Sequence, residues 1–121
     1  MKKILIIDDE EELCCFIKLN LEKREGYKVH VCTDSRGAIR WAKQLHPDLI
    51  LLDIVMPGIS GTDIAQELKN DMDTHKIPII FLKGRISEEE AEDRQYIPGV
   101  DHIVTKPVVL NKMISIINML I

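Results

Sequence analysis

The chain has 121 residues, of which 45% are hydrophobic and 30% are charged, and its net charge at neutral pH is −4. Because domains typically contain about 100–150 residues, we interpret residues 1–121 as one domain. The composition is that of a globular protein rather than a disordered or fibrous one. The acidic balance argues against direct binding to nucleic acid or to an anionic membrane, since both need a basic surface.

The N-terminal segment predicts a strand rather than a targeting or membrane segment. Its apolar run, residues 4–7, is followed by five consecutive acids. A signal peptide needs an apolar stretch of about 7–15 residues, and a membrane span needs ~20. The three cysteines, two of them adjacent at Cys14 and Cys15, match neither a disulfide framework nor a metal motif. We therefore expect reduced thiols and a cytoplasmic protein.

The first half of the chain alternates two predicted strands with two predicted helices. Residues 4–7 form the first strand, and the helix after it ends near Gly26. Residues 29–32 form the second strand, and Asp34 or Ser35 is the expected N-cap of the helix that follows. The apolar stripes predicted to face the core are Leu13, Phe16, Ile17 and Leu21, and then Ala38, Ile39, Ala42 and Leu45.

The second half continues this alternation with strands at residues 49–52, 79–82 and 103–104. The helices that follow them carry the stripe Ile64, Ala65, Leu68 and Met72, then a capping box that opens residues 87–96, and a last apolar segment from about Val109. Three of the strands are continuous apolar runs, which is typical of strands buried on both faces. Five strands in alternation with five helices predict an α/β fold with a doubly wound parallel sheet.

In such a sheet, ligands bind beyond the carboxyl ends of the strands. Asp8 and Asp9 follow the first predicted strand, and Asp53 follows the third. If these strands are neighbours, the carboxylates converge, and like charges at short range raise one another's pKa or require a cation. Mg²⁺ suits a site of a few carboxylate oxygens.

Lys106 follows the fifth predicted strand and adds a positive charge at the same edge. A cation, a lysine and an aspartate together favour phosphoryl transfer, because the transferred group carries negative charge. Asp53 is then the nucleophile that forms an acyl phosphate. The alternative is that acids at strand ends are solvated turn residues.

The chain resembles a response-regulator receiver domain of two-component signalling, similar to a chemotaxis regulator. The matching segments are IIDDEEE (residues 6–12), LLDIVMPGISG (51–61), PIIFL (78–82) and GVDHIVTKP (99–107). The resemblance implies a flavodoxin-like sheet of strand order 2-1-3-4-5. It also implies that Asp53 is phosphorylated by a histidine kinase or a phosphotransfer protein, and that the domain is not an enzyme acting on other substrates.

The resemblance further implies roles for the residues around Asp53. Asp9 would bind Mg²⁺ directly and Asp8 through water. Gly84 would donate its backbone N–H to a phosphate oxygen, and Lys106, whose bond to the following proline is cis in similar domains, would pair with another. The implied metal set is Asp8, Asp9, Asp53 and the backbone carbonyl of Val55.

Two positions depart from the family pattern, since receivers usually carry Thr or Ser where this chain has Lys83 and an aromatic ring where it has Ile103. Lys83 can extend into solvent and leave a phosphorylated receiver that couples weakly. It can also turn inward, pair with Asp53 or Asp9 and substitute in part for the cation. An altered variant is a third interpretation. These departures leave open a receiver that acts as a phosphate-independent interaction domain.

The usual partner face of receivers comprises the fourth helix, the fifth strand and the fifth helix. Five acids between residues 88 and 93 either favour the start of a helix or form a docking patch for a basic partner. The last helix has a wide apolar arc, which indicates a contact surface. One option is that this surface joins two copies of the chain in a homodimer. Its predicted core residues are Leu110, Met113, Ile114, Ile117, Leu120 and Ile121, and those outside the arc are Ile116 and Met119.

Overall fold

The computed structural model describes residues 1–84 and 101–121. The strands in these ranges are β1 (Lys3–Ile7), β2 (Lys28–Cys32), β3 (Leu49–Asp53), β4 (Ile79–Lys83) and β5 (His102–Thr105). The helices are α1 (Glu11–Glu25), α2 (Ala38–Leu45), α3 (Gly61–Lys69) and α4 (Leu110–Leu120), with a short 3₁₀ helix, Ser35–Gly37, before α2. The helix predicted over residues 87–96, with its acidic patch, lies outside the described residues. None of these four helices is long and apolar enough to cross a membrane.

The five strands form one parallel sheet in the order β2-β1-β3-β4-β5. This confirms the predicted flavodoxin-like topology. Ile7 at the end of β1 pairs with Leu52, and Asp53 at the end of β3 pairs with Leu82. The segments that follow β1 and β3 therefore leave the sheet side by side at the same edge.

Helices cover both faces of the sheet, so the central strands are buried on both sides. In β1, Ile4 and Ile6 belong to the core packed by α1 and α4, whereas Leu5 and Ile7 belong to the core packed by α2 and α3. All four side chains are fully buried. This double burial explains why the strand reads as a continuous apolar run rather than an alternating one.

Local capping signals fix several helix ends. Helix α1 ends at Gly26, whose φ of 72° is a left-handed conformation that glycine adopts without steric cost. Asp34 caps the 3₁₀ helix by accepting a hydrogen bond of 3.0 Å from the backbone N–H of Arg36. Of the two N-cap candidates in this region, Asp34 therefore caps the 3₁₀ helix, whereas the Ser35 hydroxyl bonds to the backbone of Pro57 and Ile59.

Two apolar side chains that were predicted to face the core are exposed. Phe16 on α1 is 48% exposed, because the inward face of this helix is formed by Cys14, Ile17 and Leu21. Met72 is exposed because α3 ends at Lys69, so the helical periodicity no longer applies at residue 72. The two predictions were wrong for different reasons: Phe16 lies off the inward face of α1, and Met72 lies beyond the end of α3.

Helix α4 follows its predicted orientation. Met113, Ile114 and Ile117 are buried, and the other predicted core residues of this helix are partly buried. Met119 is exposed, as expected for a residue outside the apolar arc. Ile116 was also predicted outside the arc, but it is partly buried and packs against the core.

We expect Ile17→Ala to lower the free energy of unfolding by about 2–5 kcal/mol, because a fully buried side chain is replaced by a cavity. Phe16→Ala, one position away on the same helix, should change this free energy by less than about 1 kcal/mol. Urea denaturation followed by circular dichroism measures both values. Equal costs for the two variants would contradict the inward face assigned to α1.

Candidate functional site

Three acids converge at the carboxyl edge of the sheet. Asp8 and Asp9 follow β1, and Asp53 is the last residue of β3. Since β1 and β3 are adjacent and parallel, one carboxylate oxygen from each acid lies within 4.8 Å of the other two. Asp8 is fully buried and Asp53 is 4% exposed, whereas Asp9 is open to solvent. The predicted convergence of the three carboxylates is confirmed.

The ammonium group of Lys106 lies among these carboxylates. Its Nζ is 2.9 Å from Asp8 Oδ2, 3.1 Å from Glu10 Oε1 and 3.6 Å from Asp53 Oδ1. The sequence predicted Lys106 at this edge but did not predict Glu10 as its partner. The run of acids after β1 was the available signal, yet it could not show which of them turns toward the lysine.

Burial and the charge of Asp8 raise the pKa of Asp53 to about 6, and Lys106 and the backbone N–H of Val55 offset only part of this rise. Burial lowers the pKa of Lys106, but contacts with the carboxylates of Asp8 and Glu10 outweigh it, so this pKa is raised. Near neutral pH, Asp53 is therefore mostly an anion and Lys106 a cation. That combination provides a nucleophilic oxygen beside a fixed positive charge.

The buried carboxylate of Asp8 has an incompletely bonded oxygen. Its Oδ1 accepts a hydrogen bond of 2.9 Å from the backbone N–H of Glu10. Its Oδ2 has the charge contact with Lys106 but no oriented hydrogen bond from any described residue. The three carboxylates carry an excess of negative charge, and each offers an oxygen as ligand. This set fits a hard divalent cation such as Mg²⁺.

Cys14 packs beneath the acids and does not take part in their chemistry. Its thiol donates to the backbone oxygen of Asp8 at a distance of 3.4 Å. Burial and the charge of Asp8 raise the pKa of this thiol to about 12, so it stays protonated. All three cysteines of the chain are free, in line with the expectation of reduced thiols.

The loop between β3 and α3 is closed tightly around the end of β3. The backbone N–H of Gly61 donates to the oxygen of Ile54 at 2.8 Å. A Cβ at residue 61 would lie 2.1 Å from the backbone oxygen of Asp53, so only glycine fits there. Val55 lies on this loop, and its backbone N–H is close enough to the carboxyl of Asp53 to lower the pKa of that group. The metal-binding role of the Val55 carbonyl remains a prediction.

Ser35 joins the outer turn of the same loop to the 3₁₀ helix. Its hydroxyl donates to the oxygen of Pro57 at 2.7 Å and accepts from the backbone N–H of Ile59 at 3.0 Å. Gly58, between them, has a φ of 90°, and a Cβ there would lie 2.8 Å from Ser35 Oγ. From the sequence Ser35 was predicted only as an N-cap candidate, because no local pattern reveals contacts between residues that lie 22 and 24 positions apart.

Lys83, one of the two residues that depart from the family pattern, also lies at this edge. Lys83 ends β4, and its backbone oxygen accepts a hydrogen bond of 2.7 Å from the N–H of Lys106, whose bond to Pro107 is cis. The Lys83 side chain is partly buried, and among the described residues no carboxylate forms an ion pair with it. Gly84 is exposed directly after β4. The roles of Lys83 and Gly84 remain predictions.

Ile103 lies in β5 and pairs with Phe81 of β4, whereas its neighbour Val104 belongs to the core packed by α4. It is 39% exposed and borders a groove of about 310 Å³. The other residues that line the groove include Val109, Lys112 and Ile116. The switch role of Ile103 remains a prediction.

Comparison with known proteins identifies the family. The model of the response regulator receiver domain family matches residues 4–118. The chain belongs to this family. Response regulator receiver domains are signalling domains of two-component systems rather than metabolic enzymes, and they interact with histidine kinases and output domains.

Two curated relatives and one solved structure illustrate the similarity. The chain is 36% identical over 108 residues to the phosphate regulon transcriptional regulatory protein PhoB of Rhizobium meliloti, covering 88% of this chain and 46% of that protein. It is 33% identical over 115 residues to the DNA-binding dual master transcriptional regulator RpaA of Synechocystis, covering 95% and 47%. The receiver domain therefore spans about half the length of these relatives. The signal receiver domain of a histidine kinase from Syntrophus aciditrophicus superimposes with a TM-score of 0.87 at 28% identity, covering 99% of this chain and 89% of that one.

We predict that, without divalent cations, Asp53 makes the receiver domain less stable as the pH rises from about 4 to about 6. The pKa of folded Asp53 is about 6, above its unfolded value. The folded state therefore holds more protons than the unfolded state over this range, and the free energy of unfolding falls as they are lost. Asp53→Asn should raise this free energy by about 1–3 kcal/mol near neutral pH and by little below about pH 4.

Urea denaturation of both proteins in the presence of a chelator, at a series of pH values, measures this difference. A variant no more stable than the wild type near neutral pH would show that the Asp53 charge is not unfavourable in the fold.

Proposed function

We propose that Asp53 accepts a phosphoryl group from a histidine kinase or a phosphotransfer protein. The observation that carries this proposal is the contact at the carboxyl edge, where Lys106 Nζ lies 3.6 Å from Asp53 Oδ1 inside the cluster of acids. A carboxylate oxygen can attack phosphorus, and an adjacent ammonium offsets the negative charge of the transferred group. A solvated turn residue would need neither the burial nor the lysine.

The proposed transfer forms one bond and breaks one. An oxygen of Asp53 bonds to the phosphorus of a phosphohistidine, the phosphorus–nitrogen bond breaks, and the electron pair returns to the histidine nitrogen. Lys106 would pair with one phosphoryl oxygen, and the backbone N–H of Gly84 would donate to another. Attack of water on the aspartyl phosphate would later release phosphate and restore Asp53, so both steps are chemistry of the domain on itself.

We propose Mg²⁺ as the cofactor of this site. Asp8, Asp9, Asp53 and the backbone carbonyl of Val55 would hold it, and the bound cation would neutralise charge on the phosphoryl oxygens. The excess of carboxylates over ammonium groups and the incompletely bonded Asp8 Oδ2 support this proposal.

The free thiols also support a site of action in the cytoplasm, where cysteines remain reduced.

We propose that phosphorylation acts on a partner through the surface formed by β5 and α4, together with the acidic residues 88–93, which lie outside the described residues. Exposed apolar side chains support a contact role for the described part of this surface. These are Ile103, Val109 and Met119. A second copy of the chain is one candidate partner, and no direct nucleic-acid contact is proposed for these residues.

A second candidate function is a phosphate-independent interaction domain on the same fold. Lys83 favours it, because a lysine at the end of β4 has no hydroxyl with which to meet a phosphoryl group. Ile103 also favours it, since a branched aliphatic side chain cannot reproduce the rotation of an aromatic ring. In that case the partner surface would have the same affinity whether or not Asp53 is modified.

We expect acetyl phosphate, a small phosphoryl donor, to add one phosphoryl group to the wild-type domain in the presence of Mg²⁺. Asp53→Asn should remain unlabelled, because the nucleophilic oxygen is lost. Asp63→Asn, which changes an exposed acid in the first turn of α3, is the matched control and should label like the wild type. Intact-mass spectrometry measures the modification, and a wild-type domain that stays unlabelled would refute the phosphoacceptor role.

We expect Lys83→Thr to be labelled at a rate within about threefold of the wild type, which corresponds to less than about 1 kcal/mol in the barrier. The reason is that no described carboxylate pairs with the Lys83 ammonium. Acceleration of tenfold or more would show that Lys83 blocks the site and would favour the second candidate function. Amide chemical shifts of β5 and α4, recorded with and without beryllofluoride, would show whether this surface responds.

A further inference from the structure

A buried hydroxyl ties the turn at residues 57–59 to a neighbouring element. Ser35 is 2% exposed, and its Oγ bridges the oxygen of Pro57 and the N–H of Ile59 at 2.7 and 3.0 Å. Both the donor and the acceptor capacity of the hydroxyl are thereby used within one turn. Because Ser35 is almost completely buried, water has little access to replace either bond.

The turn leaves no space for a different arrangement around this hydroxyl. Gly58 has a φ of 90°, which side-chain-bearing residues rarely adopt, and any Cβ there would approach Ser35 Oγ to 2.8 Å. Ser35 and residues 57–59 therefore fit together as one packed unit. This unit is anchored to the 3₁₀ helix that precedes α2.

The same loop carries the backbone that contacts the acid site. At its base, Ile54 donates its N–H to the oxygen of Leu82 at 3.1 Å, and Gly61 donates to Ile54 at 2.8 Å. Val55 lies between this base and the turn held by Ser35, directly after Ile54 and two residues from Asp53, and its backbone N–H lowers the pKa of the Asp53 carboxyl. The side chain of Val55 is exposed, so its own packing does little to fix its backbone.

We propose that Ser35 is a positioning residue of the acid site: by holding the turn at residues 57–59, its hydroxyl fixes the Val55 backbone beside Asp53 and so sets the affinity of the site for a divalent cation. This inference rests on the proposed function, because it assigns a regulator to the same site. Ser35 touches neither Asp53 nor a phosphoryl group in this scheme. Its effect passes through the backbone of the β3–α3 loop.

The test compares Ser35→Ala with Thr74→Val. Thr74 is equally buried, and its hydroxyl donates to the oxygen of Leu68 at 2.7 Å, at the opposite end of α3 from the site. Both variants therefore lose a buried bond of 2.7 Å that a hydroxyl donates. Ser35→Ala also loses the bond that the hydroxyl accepts from Ile59, and only this variant acts in the loop beside Asp53. Mg²⁺ alone is titrated into each isotope-labelled domain, and the dissociation constant is read from amide chemical shifts.

We expect Ser35→Ala to weaken Mg²⁺ binding by about threefold to tenfold, the equivalent of one hydrogen bond. Hydrogen exchange at the amide of Ile59 should accelerate in this variant, since its acceptor is gone. Thr74→Val should bind Mg²⁺ within about twofold of the wild type, because sites that share no partners act independently. Ser35→Thr, which keeps the hydroxyl, should recover the wild-type affinity.

Mg²⁺ binding of Ser35→Ala within twofold of the wild type, with faster exchange at Ile59, would overturn the inference while leaving the proposed function intact. Equal weakening by Thr74→Val would overturn it as well, since the effect would then reflect general loosening. If Ser35→Ala does not fold, Ser35→Gly is measured in its place, since it also removes the hydroxyl. The same fold-changes in Mg²⁺ affinity then decide the outcome. A wild-type domain that neither binds Mg²⁺ nor labels at Asp53 would instead refute the proposed function.

Discussion

The parallel pairing of β1 with β3 is the constraint from which the site follows. It brings the residues after both strands to one edge and forces the carboxylates of Asp8 and Asp53 together in a buried position. Two like charges with so little water repel each other, so a positive charge must be supplied. Lys106 reaches them from β5, on the far side of β4, and its ammonium contacts both acids.

The negative charge at this edge is only partly compensated, and the chemistry of the site depends on the excess. One ammonium cannot compensate three carboxylates, and burial together with the remaining repulsion raises the pKa of Asp53 to about 6. The same excess of negative charge would favour the divalent cation proposed for this site. The repulsion among these carboxylates lowers the stability of the fold. A cation that binds only the folded state would raise it again.

The net charge of −4 understates how unevenly the acids are distributed. Half of the acidic residues lie in two short runs, at residues 8–12 and 88–93. In the first run the members have different surroundings: Asp8 is buried against Lys106, Glu10 is an exposed second partner of the lysine, and Glu11 and Glu12 open α1. Phosphate is not excluded from this acidic edge, because Lys106 and a bound cation can offset its charge.

The sequence by itself determined the parallel α/β architecture, the carboxyl edge as the site, and Asp8, Asp9, Asp53 and Lys106 as its charged residues. These features depend on runs and periodicities within short segments, and parallel strands necessarily direct their carboxyl ends to one edge. Only the tertiary structure decided that Glu10 contacts Lys106, that Ser35 holds the loop after Asp53, and that Phe16 is exposed. These depend on how far a helix is rotated and on contacts between residues distant in the chain, and no local pattern encodes either.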